Sequence, residues 1–284
     1  MPTVRLEDRA LIRVTGEDAG TFLHGLVTTD ISGLPQSLAR PGALLTPQGK
    51  ILFDFLVFRA ESGFFLDTRA ETANDLAKRL KLFRMRAKAE ISEPEQSIVA
   101  VGWDGDSAAS RDESGRVVDG RFDVAVTRSF GATAEAANAP RTLWDALRIV
   151  HGVAELGPDY PASDAFPHDV NFDQTGGVSF RKGCYVGQEV VSRMQHRGTA
   201  RKRVLIASGA NVLEPGVDIF AGGRVCGRLG TAAGSRALAI ARLDRVKAAM
   251  DAGAAITADG VDIALTLPPG VTFGWPDATS AGEE

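Results

Sequence analysis

The sequence predicts an α+β protein that ends in a small antiparallel β-barrel. In the first half of the chain, segments with apolar residues at helical spacing alternate with segments of period two. From Thr199 onward, mostly short alternating runs separated by glycines remain, and such a pattern is typical of an antiparallel barrel. With 284 residues, the chain is long enough to bury a core without disulfide bonds.

The opening segment predicts a strand and a helix. Apolar and polar residues alternate over residues 10–14, which indicates a strand. Thr15 and Asp18 have the spacing of a capping-box variant, so a helix is expected to begin there. The apolar residues that share one face of this helix are Ala19, Phe22, Leu23 and Leu26.

Period-two patterns separated by turns predict the strands that follow. These lie at residues 43–45, 51–58, 64–66, 87–91, 98–103 and 121–127, and in the barrel at 204–206, 217–220, 225–229, 238–241 and 263–265. Helical spacing predicts one helix with Leu76, Leu80 and Phe83 on a single face, and another over residues 141–150 that ends at Gly152.

Three further segments lack a regular pattern. Residues 158–187 show no period, and a structureless run of that length inside a compact protein is usually functional. Residues 104–120 are rich in Gly, Asp and Ser and are predicted to form a mobile surface loop. Residues 277–284 are expected to fray.

Composition excludes several classes of protein. A net charge of −4 argues against a protein that wraps nucleic acid. Two cysteines exclude a disulfide framework and a self-contained site of four thiolates. No apolar run approaches the ~18 residues that would span a bilayer. The first eleven residues lack the features of a signal or transit peptide, so a cytosolic location is expected.

Cys184 is the candidate reactive group. Arg181 and Lys182 precede it, and adjacent cations favour the thiolate form of a cysteine. Glycines around it let the backbone approach a ligand closely. Local chemistry leaves open the alternative of a structural cysteine on a turn. Cys226, in a predicted hairpin strand, is interpreted as a packing residue.

Two runs of cations contain no acid. The first comprises Arg193, Arg197, Arg201, Lys202 and Arg203. It predicts a site for carboxylates or phosphates, with a solvated strand face as the alternative. The second comprises Lys78, Arg79, Lys81, Arg84, Arg86 and Lys88 and is interpreted as the solvated side of an amphipathic helix and strand. His168 and His196 flank Cys184 in sequence, but their spacing matches no known metal motif.

The segment 182–189, KGCYVGQE, closely resembles the K-G-C-Y-x-G-Q-E signature of the YgfZ folate-binding proteins. These proteins are relatives of the glycine-cleavage aminomethyltransferase (GcvT) and include a mitochondrial iron–sulfur assembly factor. The resemblance extends to the following segments in the expected order: residues 16–19, Thr29-Asp30, residues 45–50, residues 166–169 and residues 196–198.

This resemblance implies a three-domain, GcvT-like architecture around a central folate-sized hole. The first domain is discontinuous, at residues 1–45 and 135–195, the second is inserted at 46–134, and the barrel occupies 200–275. The residues implied to hold the folate ligand are Lys182, Gly187, Gln188, Glu189, Arg148, Arg193 and Arg197. The resemblance also implies tetrahydrofolate as the cofactor.

Two departures from the aminomethyltransferase pattern bear on the mechanism. Of the paired acids that those enzymes carry in the strand at residues 49–55, only Asp54 remains, with Phe53 in the other place. Val150 stands where they have the carboxylate that anchors the pterin ring. A pterin edge buried against Val150 would leave donor groups unpaired, at about 1–3 kcal/mol each. Folate is therefore expected to bind weakly, in another pose, or not at all.

Two functions follow as hypotheses. In the first, the protein is a monomeric factor that assists the maturation or repair of iron–sulfur proteins, including enzymes that thiolate transfer RNA. Cys184 is then a transient cluster ligand, no metal is stably bound, and the partners are iron–sulfur client or carrier proteins. In the second, it is a folate-dependent one-carbon transferase in which Asp54 lies near the reactive nitrogens. Direct contact with RNA is disfavoured by the negative net charge and the few aromatic residues near the first basic run, and no membrane association is expected.

Overall fold

The computed structural model describes residues 1–103, 116–131 and 137–276. It divides into two compact units, one formed by Met1–Trp144 with Thr175–Val190 and the other by Asp145–Gln174 with Val191–Glu284. The predicted fraying of residues 277–284 lies outside the described residues, as does the predicted loop at 104–115. The three-domain division implied by the resemblance stays a prediction.

The first unit is built on an eight-stranded sheet. Its strands are β1 (Thr3–Thr15), β2 (Leu38–Leu45), β3 (Ile51–Arg59), β4 (Phe64–Arg69), β5 (Glu90–Ile91), β6 (Glu95–Trp103), β7 (Val117–Asp119) and β8 (Val126–Phe130). They follow the order β4-β3-β2-β7-β8-β6-β1-β5, and only β2 and β7 pair in parallel. Because β1 also pairs with β4, the sheet curls back on itself.

Two helices complete the core of this unit, α1 (Ala19–His24) and α2 (Ala70–Arg84). Leu23 of α1 and Leu76 and Leu80 of α2 are fully buried in one cluster with the apolar residues of β1, β3 and β4. Burial of these residues is the main stabilising contribution, since each removes an apolar side chain from water.

A buried ion-pair network joins four strands of the sheet. Arg9 Nε donates to Asp67 Oδ1 at 2.7 Å, and Arg128 donates to Asp67 and Asp119 at 2.8 Å each. The pKa of Asp119 falls to about 2: burial opposes this shift, but Arg121 and Arg128 outweigh it. Each buried charge is thus paired with an opposite one, although Arg128 Nη2 has no hydrogen-bond partner among the described residues.

The second unit ends in a closed antiparallel barrel of six strands. They are β9 (Lys202–Gly209), β10 (Asp218–Ala221), β11 (Arg224–Ala233), β12 (Arg236–Arg242), β13 (Ile256–Ala258) and β14 (Val261–Thr266). Small and branched apolar side chains fill its interior. The α+β class and the antiparallel C-terminal barrel are thus confirmed.

Three more helices follow in the chain, and the sequence predicts one of them. The predicted helix at 141–150 is α3 (Arg141–His151), and Gly152 ends it with a φ of +65°. Two more helices, α4 (Gln188–Arg197) and α5 (Leu243–Asp251), were not predicted. Residues 158–187 contain no helix or ladder strand, as expected. No described helix is long and apolar enough to cross a membrane.

Several local predictions were wrong. Thr15 does not cap α1, because it is the last residue of β1 and Asp18 stands at the N-cap. Asp18 makes no side-chain cap hydrogen bond either; its carboxylate accepts the Lys88 N–H, at 2.8 Å. Phe83 is 38% exposed rather than buried with Leu76 and Leu80. The predicted strand at 87–91 shrinks to Glu90–Ile91, and the one at 121–127 begins only at Val126. Within the predicted loop 104–120, residues 117–119 form β7.

Candidate functional site

Cys184 lies on an irregular loop just before α4, and its side chain is exposed. The other cysteine, Cys226, is buried in the core of the barrel, where burial raises the pKa of its thiol to about 11. The packing role predicted for Cys226 agrees with its burial, whereas Cys184 is exposed. The loop that presents Cys184 is held in the first unit by three sets of contacts.

The first contact is made by Lys182. Its ammonium group donates hydrogen bonds to the backbone carbonyl oxygens of His24, Val27 and Thr29, which lie at and after the end of α1. It also lies 5.0 Å from the centre of the Tyr185 ring. Burial lowers the pKa of Lys182 to about 8, against an opposing effect of Asp30. Lys182 therefore anchors the loop with its charge.

The second contact is made by two threonines. Thr28 Oγ1 donates to the Gly177 carbonyl at 2.6 Å and accepts the N–H of Ala43 at 2.9 Å. Thr29 Oγ1 donates to the Gly176 carbonyl at 3.2 Å. These bonds join the start of the cysteine loop to the segment after α1 and to β2. Thr29, one of the residues that carry the resemblance, belongs to this anchor.

The third contact is a close approach of two glycines. Gly187 has a φ of +79°, and a Cβ atom there would lie 2.6 Å from the Thr46 carbonyl and 3.0 Å from the Gly49 Cα. Gly49 has a φ of +81°, and a Cβ there would lie 2.9 Å from the Val190 Cβ. The turn at residues 46–49 thus packs directly on the KGCYVGQE segment. Two motifs far apart in sequence form one structure here.

The remaining residues of the signature lie at the start of α4. The Gln188 N–H donates to the Tyr185 carbonyl at 3.3 Å, and Glu189 is an exposed acid in the first turn of the helix. Arg181 is exposed beside the anchored Lys182. The site therefore presents an exposed thiol and an exposed cation on a loop with a fixed base.

The predicted cation cluster is divided between exposed and buried side chains. Arg193 and Arg197 are exposed on α4, and Arg201 and Lys202 are exposed before and at the start of β9. Arg203 is buried instead. Its guanidinium donates to Asp173 at 2.6 Å and to the His168 carbonyl at 2.8 Å, and it stacks on Phe273 at 4.4 Å.

A cleft of about 550 Å³ lies over this buried pair in the second unit. Arg197 and Arg201 line it with Met194, Thr199 and Phe273. His168 lies at its base, buried, with Nε2 2.9 Å from Gln195 Oε1, and burial lowers the pKa of this imidazole. His196 is exposed on α4.

Arg148 is fully buried, at 1% exposure, in the second unit. Its guanidinium donates to Asp159 at 2.7 Å, to Thr231 Oγ1 at 2.7 Å and to the Val153 carbonyl at 3.1 Å. These acceptors belong to the protein itself. The structure therefore gives Arg148 a structural role, and its predicted contact with a ligand is not needed to account for its burial.

The residues predicted to bear on folate chemistry are placed as follows. Asp54 is buried on β3, and its carbonyl accepts the Thr68 hydroxyl at 2.9 Å. Phe53 is buried in the apolar core of the first unit. Val150 is 40% exposed on α3. Neither Phe53 nor Val150 offers an acceptor to the amino-pyrimidine edge of a pterin.

Comparison with solved structures defines the class of fold. The glycine cleavage system aminomethyltransferase T from Bartonella henselae superimposes with a TM-score of 0.66 over 94% of this chain and 84% of that chain. At 16% identity, this likeness shows the aminomethyltransferase fold alone. Residues 201–273 match the family described as the CAF17 C-terminal beta-barrel domain.

Sequence relatives define the family. The mitochondrial iron–sulfur cluster assembly factor IBA57 of Homo sapiens is 31% identical, over 96% of this chain and 85% of the human protein. The homologue of Coccidioides immitis is 32% identical over 75% of this chain. The chain spans 58% of that relative and 55% of the Mycosarcoma maydis homologue. The chain therefore belongs to the IBA57 family, and it has the aminomethyltransferase fold.

These relatives correct one prediction. The expected cytosolic location was wrong, because the matching family members from Homo sapiens, Coccidioides immitis and Mycosarcoma maydis are named as mitochondrial proteins. The composition of the first eleven residues was therefore no guide to location.

Proposed function

We propose that this protein assists the maturation of iron–sulfur proteins and that Cys184 is the group that contacts the cluster. The observation that carries the proposal is an exposed cysteine on an anchored loop. Contacts of Lys182, of Thr28 and Thr29, and of Gly187 hold this loop in place. A fixed, accessible thiol suits contact with a second protein, because little ordering entropy is lost on docking. The names of the relatives support the same function.

The chemistry required of Cys184 is ligand exchange. As a thiolate it replaces one cysteine ligand of an iron in a cluster held by a carrier, and the displaced thiolate stays with the carrier. No electron is transferred in this step. One thiolate cannot complete the ligand set of a cluster, so a partner protein supplies the others.

The proposal extends to the clients and to the assembly state. Enzymes that thiolate transfer RNA are proposed among the clients, so the link to RNA is indirect and passes through an iron–sulfur protein. The factor is proposed to act as a monomer that meets its carrier and client proteins transiently. The exposed Arg193 and Arg197 are suited to an acidic surface on one of them.

No folate-dependent step is part of this proposal. The positions that anchor the pterin in aminomethyltransferases hold Val150 and Phe53, and these side chains do not fit that group in that pose. Nothing specific favours Asp54 as a catalytic carboxylate. Tetrahydrofolate binding therefore stays a prediction.

Replacing Cys184 tests the function. In a strain that lacks this protein, Cys184→Ser is expected to leave the activity of iron–sulfur enzymes at the level of the deletion, about tenfold or more below the strain with the wild-type gene. Cys226→Ser is the matched control and is expected to restore activity, provided that its purified form melts as the wild type does.

Two further measurements make the result decisive. The purified Cys184→Ser protein should keep the wild-type melting temperature, because the exposed thiol contributes no packing. Its loss of function would then be a loss of chemistry. Full restoration of enzyme activity by Cys184→Ser would contradict the proposal.

A further inference from the structure

The C-terminal end of α2 exposes apolar side chains. Leu82 is 72% exposed and Met85 is 86% exposed, with Phe83 between them at 38%. Single exposed apolar residues are ordinary on protein surfaces. Three exposed apolar residues within four consecutive positions form a local apolar surface. This surface is separate from the face of α2 that packs in the core.

The cations around this surface separate by type. Each lysine of the run pairs with an acid of the same chain: Lys78 with Asp75, Lys81 with Glu93 and Lys88 with Glu17. None of the arginines Arg79, Arg84 and Arg86 has an ion pair within the part of the chain that the structure describes, and all are exposed. Arg79 lies 5.8 Å over the Phe83 ring. The interpretation of the whole run as a uniformly solvated face is therefore incomplete.

The backbone at Met85 is strained. Its φ is +44° and its ψ is −104°, a conformation that residues with a side chain rarely adopt. The segment after it is fixed at Lys88, whose N–H donates to the Asp18 carboxylate at 2.8 Å and whose carbonyl accepts the Asp18 N–H at 3.1 Å. The Met85 side chain is 86% exposed, so burial of this side chain does not offset the cost of the strain.

We propose that these six residues, Arg79, Leu82, Phe83, Arg84, Met85 and Arg86, dock an acidic protein surface with an apolar centre. We call them the helix-end patch. Arg, Met and aromatic residues are the types enriched in protein interfaces, whereas Lys is depleted. Here the lysines are neutralised by this chain and the arginines are left for a partner. Guanidinium groups bind carboxylates in pairs of parallel hydrogen bonds, so the unpaired arginines select an acidic surface.

A protein partner explains the helix-end patch better than a lipid surface does. A lipid surface attracts lysine as well as arginine, so it would leave the difference between the two residue types unexplained. The proposal is independent of Cys184 and goes beyond the function proposed above.

Matched triple variants test the helix-end patch. The probe is a fluorescent synthetic peptide of glutamate and leucine with helical amphipathic spacing, titrated into the full chain at physiological salt. Arg79→Ala/Arg84→Ala/Arg86→Ala is expected to weaken peptide binding about tenfold or more. Lys78→Ala/Lys81→Ala/Lys88→Ala removes the same charge and is expected to change the affinity less than threefold.

The results that would overturn the proposal are distinct. An equal loss of peptide affinity in both triple variants would mean that binding depends only on the net charge of the surface. A protein partner is excluded if the chain does not bind the peptide. It is also excluded if the chain binds vesicles of phosphatidylcholine with about 30% phosphatidylserine and not the peptide. Both triple variants are compared at matched folded fractions from their melting curves, so that loss of fold is not scored as loss of binding.

Met85→Gly is a further test that separates function from stability. Glycine adopts a positive φ without strain, so this variant is expected to melt at a higher temperature than the wild type. It is also expected to bind the peptide several-fold more weakly, because the exposed apolar side chain is lost. Unchanged peptide binding by Met85→Gly would overturn the role given to this side chain.

Discussion

At the scale of single residues, two adjacent cations before Cys184 have different roles. The sequence predicts that Arg181 and Lys182 together hold a thiolate. In the structure, the Lys182 ammonium is committed to the carbonyls of His24, Val27 and Thr29, whereas Arg181 is exposed. The sequence itself shows that two cations stand just before Cys184. The partner of each charge could not be predicted, because the acceptors are backbone atoms more than 150 residues away.

Neutral replacements of this pair should therefore differ. Lys182→Met removes the group that satisfies the carbonyls after α1, and it is expected to lower the free energy of unfolding by about 2 kcal/mol. Arg181→Met removes an exposed cation and is expected to change it by less than about 0.5 kcal/mol. Urea denaturation of the two variants beside the wild type measures both. Similar losses in the two proteins would contradict the anchoring role of Lys182.

At the scale of elements, strongly periodic segments were predicted well and irregular ones were not. The strands β3 and β4 follow from the residue pattern, because both are apolar segments that are buried along most of their length. The bounds of α3 were also predicted, but the helix buries Trp144 and Ile149, whereas its apolar Leu143 and Val150 are 45% and 40% exposed. The helix α4 was missed, since glycines precede it and cations cover it, so that no apolar stripe marks it in the sequence. The anchored loop before α4 has no period at all. Its shape comes from contacts with distant segments.

Glycine replacements in this loop test that statement. Gly187→Ala places a Cβ 2.6 Å from the Thr46 carbonyl on a residue with positive φ, and it is expected to cost about 2 kcal/mol or more of stability. Gly183→Ala, in the same signature, meets no atom within 4 Å and is expected to be nearly neutral. Thermal melts of both proteins give the comparison. A Gly187→Ala protein as stable as Gly183→Ala would show that the turn at residues 46–49 does not pack on the loop.

At the scale of the whole molecule, long-range polar contacts decide which segments belong together. The family and the fold class could be predicted from short motifs in order along the chain. The pairing of segments could not, because periodicity is a local property. Residues 145–174 are an example: they form one compact unit with the barrel, although the segment at residues 175–190 separates the two in sequence.

Asp159 is the residue that joins this segment to the barrel. Its carboxylate accepts hydrogen bonds from Arg148, from the Glu155 N–H and from the Thr231 N–H of β11, each at 2.7 Å. Arg148 also forms an ion pair with Asp145, at 3.3 Å. Asp159→Asn removes the closer of these two carboxylates from a fully buried guanidinium, and it is expected to cost about 3–5 kcal/mol of unfolding free energy.

Asp218→Asn is the control, because it also breaks an Asp–Arg pair of the barrel, at 3.0 Å, but one whose side chains are 45% and 67% exposed. An exposed pair contributes little, so a loss below about 1 kcal/mol is expected. Urea denaturation compares the two proteins directly. If Asp159→Asn were as stable as Asp218→Asn, burial of the Arg148 guanidinium would not require Asp159. That result would favour the predicted role of Arg148 in holding a ligand. A large difference would assign Arg148 to the structure of this unit.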